Sequence, residues 1–439
     1  MDTPYSTHSL LRIHGPSHIN ASQVNISGAK NAALPILAAS LLTKRPVTLL
    51  RIPHLQDTTY MLEALRSLGS SICLNDNGHL SLDNSSCNRS SIDARIAEKI
   101  RTSLLFLGPL LATQQRATLP FPGGCNIGAR PIDLHIEGLR RMGAQITLAD
   151  RRIEAVAPQG LHGCEYRLSV PSVGATQNLI MAASRAQGKT QLSNIAIEPE
   201  IDDLISFLNS LGASINFTGP RQLCIEGTEI LNHSTAHTII GDRIQAGTYL
   251  IAAAIGQGEI EITGINPEHC KQVISALRQA GAIIQTTEKS IQLHMPHRPQ
   301  AVDICTGPYP QFPTDLQAQW LALNCIAQGN ACIQENVYEN RMESARQLQR
   351  LGAKIRIENN KAYTQGCEHL IASELVASDI RASAGLILAC LRAYGTSTIH
   401  RIEYADRGYS FLEENLRSMG VLLERQYIKK SHEKEELEY

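Results

Sequence analysis

The sequence predicts an α/β protein with two domains, and three observations support that prediction. Its 439 residues are the length of two or three ordinary domains. Hydrophobic residues make up 43% of the chain, which is enough apolar material for sizeable cores. A pattern that is typical of a helix ending and passing into a strand recurs six times along the chain.

The recurring pattern is Leu-x-x-x-Gly, followed by residues that favour strands. Met61, Leu65 and Leu68 precede the first of these glycines and mark one face of a helix. Glycine adopts the left-handed conformation that ends many helices. Because such a unit cannot bury its apolar face alone, neighbouring units must share a core, and six units predict two domains of three units each. Successive glycines are 68 to 74 residues apart, and they are Gly69, Gly143, Gly212, Gly281, Gly352 and Gly420.

The composition excludes several classes of protein. Charged residues are 18% of the chain and the formal net charge is -1, so we expect no nucleic-acid surface and only a local cluster of Lys and Arg. The 11 cysteines form no Cys-x-x-Cys pair, which is typical of a reducing compartment. Residues 1–9 lack the apolar core of a signal peptide, and no apolar run reaches the roughly 20 residues that span a bilayer. We therefore expect a cytoplasmic protein without a membrane segment.

The segment 123–135 carries the most informative chemical pattern. Cys125 follows two glycines, which let the backbone approach a ligand closely. Arg130 adds a permanent cation suited to a carboxylate or a phosphate. Two interpretations fit these residues alone: a mobile loop that delivers a thiol to an anionic substrate, or a surface loop that contains a cysteine by chance.

This segment resembles the catalytic loop of the UDP-N-acetylglucosamine enolpyruvyl transferases, which belong to the EPSP synthase family. The resemblance extends over residues 13–423. Each matching run is short, but six of them stand in the family's order, which chance does not explain. These runs are 27–35, 171–176, 312–317, 339–341, 379–382 and 406–409.

The resemblance implies a two-domain inside-out α/β barrel. Each domain would consist of three βαβαββ units around a pseudo-threefold axis, with helices inside and sheets outside. Residues 1–29 and 241–428 would form an outer domain, and residues 30–240 an inserted domain that carries the cysteine loop. Residues 429–439 would be a charged tail. We expect the active site between the two domains, where such sites are common.

The resemblance also implies a reaction. The enolpyruvyl group of phosphoenolpyruvate moves to the 3-hydroxyl of UDP-N-acetylglucosamine and phosphate leaves, which is the first committed step of peptidoglycan precursor synthesis. Cys125 is the candidate acid and a candidate covalent partner, since a thiol with a pKa of about 8.5 is mostly protonated at neutral pH. Asp315 is the candidate base, although its position also suits a helix N-cap or first-turn acid. Fosfomycin, which mimics phosphoenolpyruvate, is the expected inhibitor, and no cofactor is implied.

The resemblance also supplies the candidate binding residues. The expected anion clamp consists of Lys30, Arg101, Arg130 and Arg407. Arg381 joins this group or forms an ion pair with Asp379 instead. Asn31 is expected to hydrogen-bond the sugar or the phosphate. The expected nucleotide site consists of Arg130, Pro131, Ile132, Asp133, Leu134, Ser172, Val173, Gly174 and Val337.

Some polar residues in these runs have no predicted chemical role. Asp133, His135 and Glu137 alternate, but no further ligand spacing accompanies them, so we predict no metal site. Gln177 and Gln245 stand where members of the family often carry Glu. Neither is a candidate catalytic group, so the predicted chemistry does not depend on them.

Two alternative functions remain open. The first is a related enolpyruvyl transferase that uses another acceptor, either shikimate 3-phosphate or a different nucleotide. The shikimate enzymes typically carry Ser after the first-helix Lys and lack the cysteine loop, so Asn31 and Cys125 argue against them. The second is a catalytically silent relative that binds UDP-sugar as a sensor, against which the intact Lys30, Cys125 and Asp315 argue.

Overall fold

The computed structural model describes residues 8–75, 78–97, 99–121 and 132–428, and it contains 24 strands and 13 α-helices there. The strands are β1 (His8–Gly15), β2 (Ser22–Asn25), β3 (Val47–Leu50), β4 (Ser71–Leu74), β5 (Leu80–Asp83), β6 (Arg116–Pro120), β7 (Gln145–Ala149), β8 (Arg152–Val156), β9 (Glu165–Arg167), β10 (Lys189–Ser193), β11 (Ser214–Gly219), β12 (Gln222–Glu226), β13 (Thr235–Thr238), β14 (Glu259–Thr263), β15 (Ile283–Thr286), β16 (Ser290–His294), β17 (Ile304–Cys305), β18 (Asn330–Gln334), β19 (Lys354–Glu358), β20 (Lys361–Gln365), β21 (Leu370–Ile371), β22 (Glu374–Val376), β23 (Ala393–His400) and β24 (Leu422–Ile428).

The helices alternate with these strands along the chain. They are α1 (Lys30–Ala39), α2 (Gln56–Leu68), α3 (Ala94–Ala97), α4 (Leu107–Gln114), α5 (Asp133–Arg141), α6 (Val173–Ala183), α7 (Pro199–Ser210), α8 (Arg243–Ile255), α9 (Lys271–Gln279), α10 (Gln317–Ile326), α11 (Glu343–Arg350), α12 (Ile380–Cys390) and α13 (Leu412–Ser418). Short 3-10 segments at Arg101–Phe106, Thr314–Leu316 and Ile402–Arg407 carry candidate site residues.

The strands form six sheets, and the same pairing pattern recurs among them. In the sheet β15-β16-β14-β2, strand β14 pairs antiparallel with β16 and parallel with β2, and β15 continues the antiparallel side. The sheets β11-β12-β10-β9, β13-β3-β5-β4 and β17-β18-β20-β19 repeat this order of one parallel and two antiparallel pairings. The predicted repeat is therefore a structural unit in at least four of the six sheets.

The helices divide into fully buried and amphipathic ones. Every residue of α10 is buried, as are nearly all residues of α1, α6, α8 and α12. Helices that are apolar on all sides belong in an interior, and α8, α10 and α12 contact one another there. The amphipathic α2, α5, α7, α9 and α11 bury one face only. The predicted arrangement of helices inside and sheets outside is confirmed.

The buried apolar side chains form two separate clusters. One, which we call the split core, draws on residues 11–26 and 244–421. The other, which we call the continuous core, draws on residues 29–239. The protein is thus a two-domain α/β structure, and the site must be sought where the two cores meet.

All six glycines of the repeat have the predicted left-handed conformation. Their φ angles are +108° at Gly69, +93° at Gly143, +103° at Gly212, +103° at Gly281, +86° at Gly352 and +93° at Gly420. Each follows a helix, and a single residue separates it from the next strand. Since other residues rarely adopt this conformation, glycine fixes the point at which each unit turns from helix to strand.

The chain crosses between the two cores at paired backbone segments. Gly28 and Gly241 form an antiparallel bridge, in which the N–H of Ala29 donates to the carbonyl of Ile240 at 2.7 Å. The crossing sets the first turn of α1 beside the first turn of α8. Asp242 joins them, since its carboxylate caps α8 at the N–H of Ile244 (2.8 Å) and accepts from the backbone N–H of Lys30 (3.2 Å). This contact fixes the backbone position of Lys30, from which its side chain extends.

Candidate active site

Lys30 and Arg407, two of the predicted clamp cations, meet at one buried carboxylate. Asp57, in the first turn of α2, lies 2.8 Å from Nζ of Lys30 and 2.8 Å from Nε of Arg407. Burial alone would raise the pKa of Asp57, but the charges and hydrogen bonds of Lys30 and Arg407 outweigh it and lower that pKa. Asp57 is therefore an anion that already occupies the cationic site.

Asp315, the candidate base, lies between two arginines. Its Oδ1 accepts hydrogen bonds from both terminal nitrogens of Arg341 at 3.1 Å, and its Oδ2 accepts from Arg381 at 2.9 Å. Although burial opposes ionisation, the charges of Arg381 and Arg341 hold the pKa of Asp315 well below its usual range. The carboxylate is ionised throughout the working pH range and can accept a proton, but it is a weak base while both arginines hold it.

The alternative partner predicted for Arg381 is wrong. The carboxylate of Asp379 caps α12 instead, because it accepts from the backbone N–H groups of Arg381 (2.8 Å) and Ala382 (3.0 Å). The guanidinium of Arg381 turns to Asp315 and lies 5.4 Å from the ring centre of Tyr409. The backbone N–H of Arg381 thus contacts the capping Asp379, whereas its guanidinium forms the ion pair with Asp315.

A network of buried polar side chains lies beside Arg381, the arginine that pairs with Asp315. The buried hydroxyl of Tyr409 accepts from Nε2 of Gln319 at 2.9 Å and lies 3.3 Å from the hydroxyl of Thr248. Among the described residues, Nη1 of Arg381 and Nε of Arg341 have no hydrogen-bond partner. Both nitrogens are buried, and buried donors without partners are rare.

Val337 is tied to the Asp315 segment through a buried glutamate. Glu335 accepts from the hydroxyl of Thr314 at 2.9 Å and from the backbone N–H of Val337 at 2.8 Å. Val337 itself is 37% exposed. The structure therefore places one apolar candidate for the nucleotide site next to the candidate base.

The remaining nucleotide candidates lie at helix starts in the continuous core. Ser172 caps α6, since its hydroxyl accepts from the N–H of Ala175 at 3.4 Å. A Cβ on Gly174 would lie 3.3 Å from the ring of His135, so only glycine lets the start of α6 approach this histidine without displacement. Nδ1 of His135 lies 3.1 Å from the side-chain amide of Asn178.

Arg101 acts on the same histidine. Burial, and after it the charge of Arg101, lower the pKa of His135 to about 3. The imidazole of His135 is therefore neutral, and it lies beside Arg101, which is predicted to bind phosphate. Ile132 precedes α5, Asp133 is exposed in its first turn, and Leu134 follows it.

Asn31 and the two glutamines lie near the crossing. Gln177 donates to the backbone carbonyl of Asn31 at 3.3 Å, which connects α6 to α1. The side chain of Gln245 accepts from the N–H of Ser27 at 3.0 Å and donates to the carbonyl of Ser410 at 3.1 Å. Both glutamines thus make contacts between elements of the fold.

Three predicted residues, Cys125, Arg130 and Pro131, lie outside the described residues. Within the described ranges, no group of three His, Cys, Asp or Glu side chains could hold a metal ion. Helices in those ranges are also too short or too polar to cross a membrane.

The sequence patterns missed three residues that define this geometry. Asp57 bridges two clamp cations, Arg341 holds the candidate base, and Glu335 holds Val337. Arg341 lies in a matching run, but the sequence predicts no role for it. The only signal at Asp57 is its position in the first turn of a helix. Asp57 is an acidic residue at the start of a helix that faces the clamp cations. Which helix starts face those cations can be known only from the fold.

Comparison with known families agrees with this architecture. A model of the EPSP synthase (3-phosphoshikimate 1-carboxyvinyltransferase) family matches residues 13–416. A UDP-N-acetylglucosamine 1-carboxyvinyltransferase from Coxiella burnetii is 44% identical over 416 residues, which cover 94% of this chain and 95% of that protein. Proteins of the same name from Pasteurella multocida and Hydrogenovibrio crunogenus are 44% and 42% identical, again over 94% of this chain, and 97% and 98% of theirs.

Solved structures share the fold at lower sequence identity. The enolpyruvyl transferase NikO from Streptomyces tendae superposes with a TM-score of 0.87 at 24% identity, over 96% of this chain and 100% of that one. An EPSP synthase from Acinetobacter baumannii superposes with a TM-score of 0.74 at 16% identity, with the same coverage. These two likenesses show the fold alone.

Proposed function

The chain belongs to the EPSP synthase family, and from this premise we propose that it transfers the enolpyruvyl group of phosphoenolpyruvate to the 3-hydroxyl of UDP-N-acetylglucosamine. The observation that carries the proposal is the match, over nearly the full length, to relatives that bear the name of this activity. The cationic site between the two cores supports it, because both substrates are anions.

The reaction is an addition followed by an elimination. The sugar oxygen bonds to C2 of phosphoenolpyruvate while C3 gains a proton, and the hydroxyl loses its own. C3 then loses a proton as the bond between C2 and the phosphate oxygen breaks, which leaves an enol ether and inorganic phosphate. No oxidant, reductant or cofactor is needed for this balance.

Each residue has a role in that sequence. Cys125 delivers the proton to C3, and Asp315 accepts the hydroxyl proton. Arg381 and Arg341 stabilise Asp315 as an anion, which keeps it ready to accept a proton. Because both arginines also weaken it as a base, the sugar hydroxyl must displace part of their hydrogen bonding before transfer.

Substrate binding uses both cores. Lys30, Arg101, Arg130, Arg381 and Arg407 surround the anionic groups of phosphoenolpyruvate and the diphosphate. The nucleotide sugar lies against Asn31, the start of α5 and the start of α6, where backbone N–H groups favour anions. The residues of this surface are Asn31, Arg130, Pro131, Ile132, Asp133, Leu134, Ser172, Val173, Gly174 and Val337.

The enzyme acts in the cytoplasm, where phosphoenolpyruvate and nucleotide sugars are made, and it supplies peptidoglycan precursor synthesis. Fosfomycin inhibits it by alkylating Cys125. Residues 1–29 with 241–428, and residues 30–240, are the two domains that close on the substrates.

Phosphate release from phosphoenolpyruvate with two acceptors tests the proposal. UDP-N-acetylglucosamine should support turnover and shikimate 3-phosphate should not, because the relatives that match over nearly the full length are named for the nucleotide sugar. Turnover with shikimate 3-phosphate alone would overturn the acceptor assignment. Binding of UDP-N-acetylglucosamine without turnover would overturn the assignment as an enzyme.

A further inference from the structure

The bridge from Asp57 to Lys30 and Arg407 joins the two cores. Asp57 and Lys30 belong to helices of the continuous core, whereas Arg407 ends the 3-10 segment Ile402–Arg407 beside the split core. The side chains of Lys30, Asp57 and Arg407 are only 9%, 4% and 13% exposed. A carboxylate so deeply buried between two cations is a fixed part of the site.

We propose that Asp57 is an internal counter-ion, which assembles Lys30 and Arg407 before substrate arrives and lowers their affinity for free phosphate. The proposal rests on the proposed function, because that function makes Lys30 and Arg407 ligands of the substrate's anionic groups. Asp57 acts through the two cations, so it is a positioning residue.

The geometry supports the assembling role. The hydroxyl of Ser410 donates to the carbonyl of His54 at 3.2 Å, and the rings of His54 and Phe411 meet at 5.6 Å. These contacts fix the backbone on both sides of the ion pair between Asp57 and Arg407. Lys30 and Arg407 lie on the same carboxylate and would repel each other without it, so Asp57 offsets that repulsion.

The charge balance supports the second role. Two cations and one carboxylate leave a single positive charge among the three side chains. Phosphate is a product of the reaction and is abundant in cells, so a doubly charged pair would retain it. A partly neutralised pair favours a ligand that brings further contacts, such as the carboxylate of phosphoenolpyruvate, over free phosphate.

Titration of inorganic phosphate into Asp57→Asn tests the proposal without turnover. Asparagine keeps the shape and an acceptor oxygen but removes the negative charge. Calorimetry at constant ionic strength should show the dissociation constant for phosphate falling by about tenfold or more, since a unit charge within a few ångströms is lost. The inhibition constant of phosphate in the turnover assay should fall in parallel.

Glu200→Gln is the matched control. Glu200 is a carboxylate buried to a similar degree, with a side chain 3% exposed, and it also joins the two cores through Arg243 at 3.0 Å. Its loss should leave phosphate affinity unchanged. Equal tightening in both variants would show that a loosened interface is the cause and would overturn the proposal, as would unchanged or weaker phosphate binding in Asp57→Asn.

A variant that does not fold still gives an answer. If Asp57→Asn is recovered unfolded in chloride, phosphate at the same ionic strength should restore folding, because it supplies the missing anion. Failure of this rescue would contradict the proposal. If wild-type protein binds phosphate as expected but shows no turnover, the proposed function is wrong. The assignment of Asp57 as a counter-ion then still holds.

Discussion

At the scale of single residues, the charge of Asp315 is the feature that most constrains the chemistry. Its three hydrogen bonds from Arg341 and Arg381 stabilise the anion. A carboxylate whose pKa lies far below neutrality is a weak base. It accepts a proton only when the hydrogen bonds around it change during the reaction. If Asp315 is the base, as we propose, the two arginines must release part of their hydrogen bonding to it before it accepts the proton.

The substitution Asp315→Asn separates this role from simple stabilisation. Turnover should fall by about 100-fold or more, because the amide cannot accept the proton. The free energy of unfolding should fall by about 3 to 5 kcal/mol, because two buried arginines lose their counter-charge. Turnover assays and urea titrations measure the two effects.

Asp203→Asn is the control, since Asp203 is a buried carboxylate that pairs with His237 at 2.9 Å. It should lose stability and keep turnover within about threefold. A near-normal turnover of Asp315→Asn would reject Asp315 as the base.

The residues predicted from the sequence came from the family resemblance, and the missed ones are the ion-pair and hydrogen-bond partners of those residues. Lys30 and Arg407 lie in ion pairs with Asp57, and Arg381 lies in an ion pair with Asp315. Asp57 stands 350 residues before Arg407, so no local spacing connects them. Ion pairs formed by the fold are visible only when the fold is known.

At the scale of elements, the repeat was predictable because each helix end is locally determined. The apolar face of the helix, its glycine and the strand after it are consecutive in the chain. The pairing of distant strands was not predictable from these patterns. Strand β2 joins β14, for example, although more than two hundred residues separate them, because the chain crosses from one core to the other and returns.

The helices α5 and α6 meet at His135, which gives a prediction about acid stability. The pKa of His135 is lowered to about 3, against about 6.5 for an unfolded histidine. The unfolded chain therefore takes up the proton first, and the free energy of unfolding falls as pH drops through this range. The contribution of this one group is about 1.4 kcal/mol per pH unit.

His135→Gln should make that dependence shallower by about one proton between about pH 6 and about pH 4. Urea unfolding at a series of pH values measures the slope. His294→Gln removes an exposed histidine and should leave the slope unchanged. Parallel curves for wild type and His135→Gln would show that the histidine is already charged in the folded protein.

At the scale of the whole molecule, the site exists because two cores supply opposite sides of it. Asp57 contacts Arg407 and Glu200 contacts Arg243 across the interface. The family resemblance predicted a site between two domains, and two of the four clamp residues, Lys30 and Arg407, meet there. The domain boundaries at residues 29 and 241 stay a prediction, as do the roles of all the candidate site residues.

The central claim is that the enolpyruvyl group leaves phosphoenolpyruvate with cleavage of its carbon–oxygen bond. Phosphoenolpyruvate labelled with oxygen-18 in the bridging position tests it directly, with UDP-N-acetylglucosamine as the acceptor and mass spectrometry of both products. We predict that the released phosphate carries the label and that the nucleotide sugar gains an unlabelled enol ether. Label in pyruvate, with unlabelled phosphate and an unchanged nucleotide sugar, would show phosphate ester hydrolysis and contradict the account.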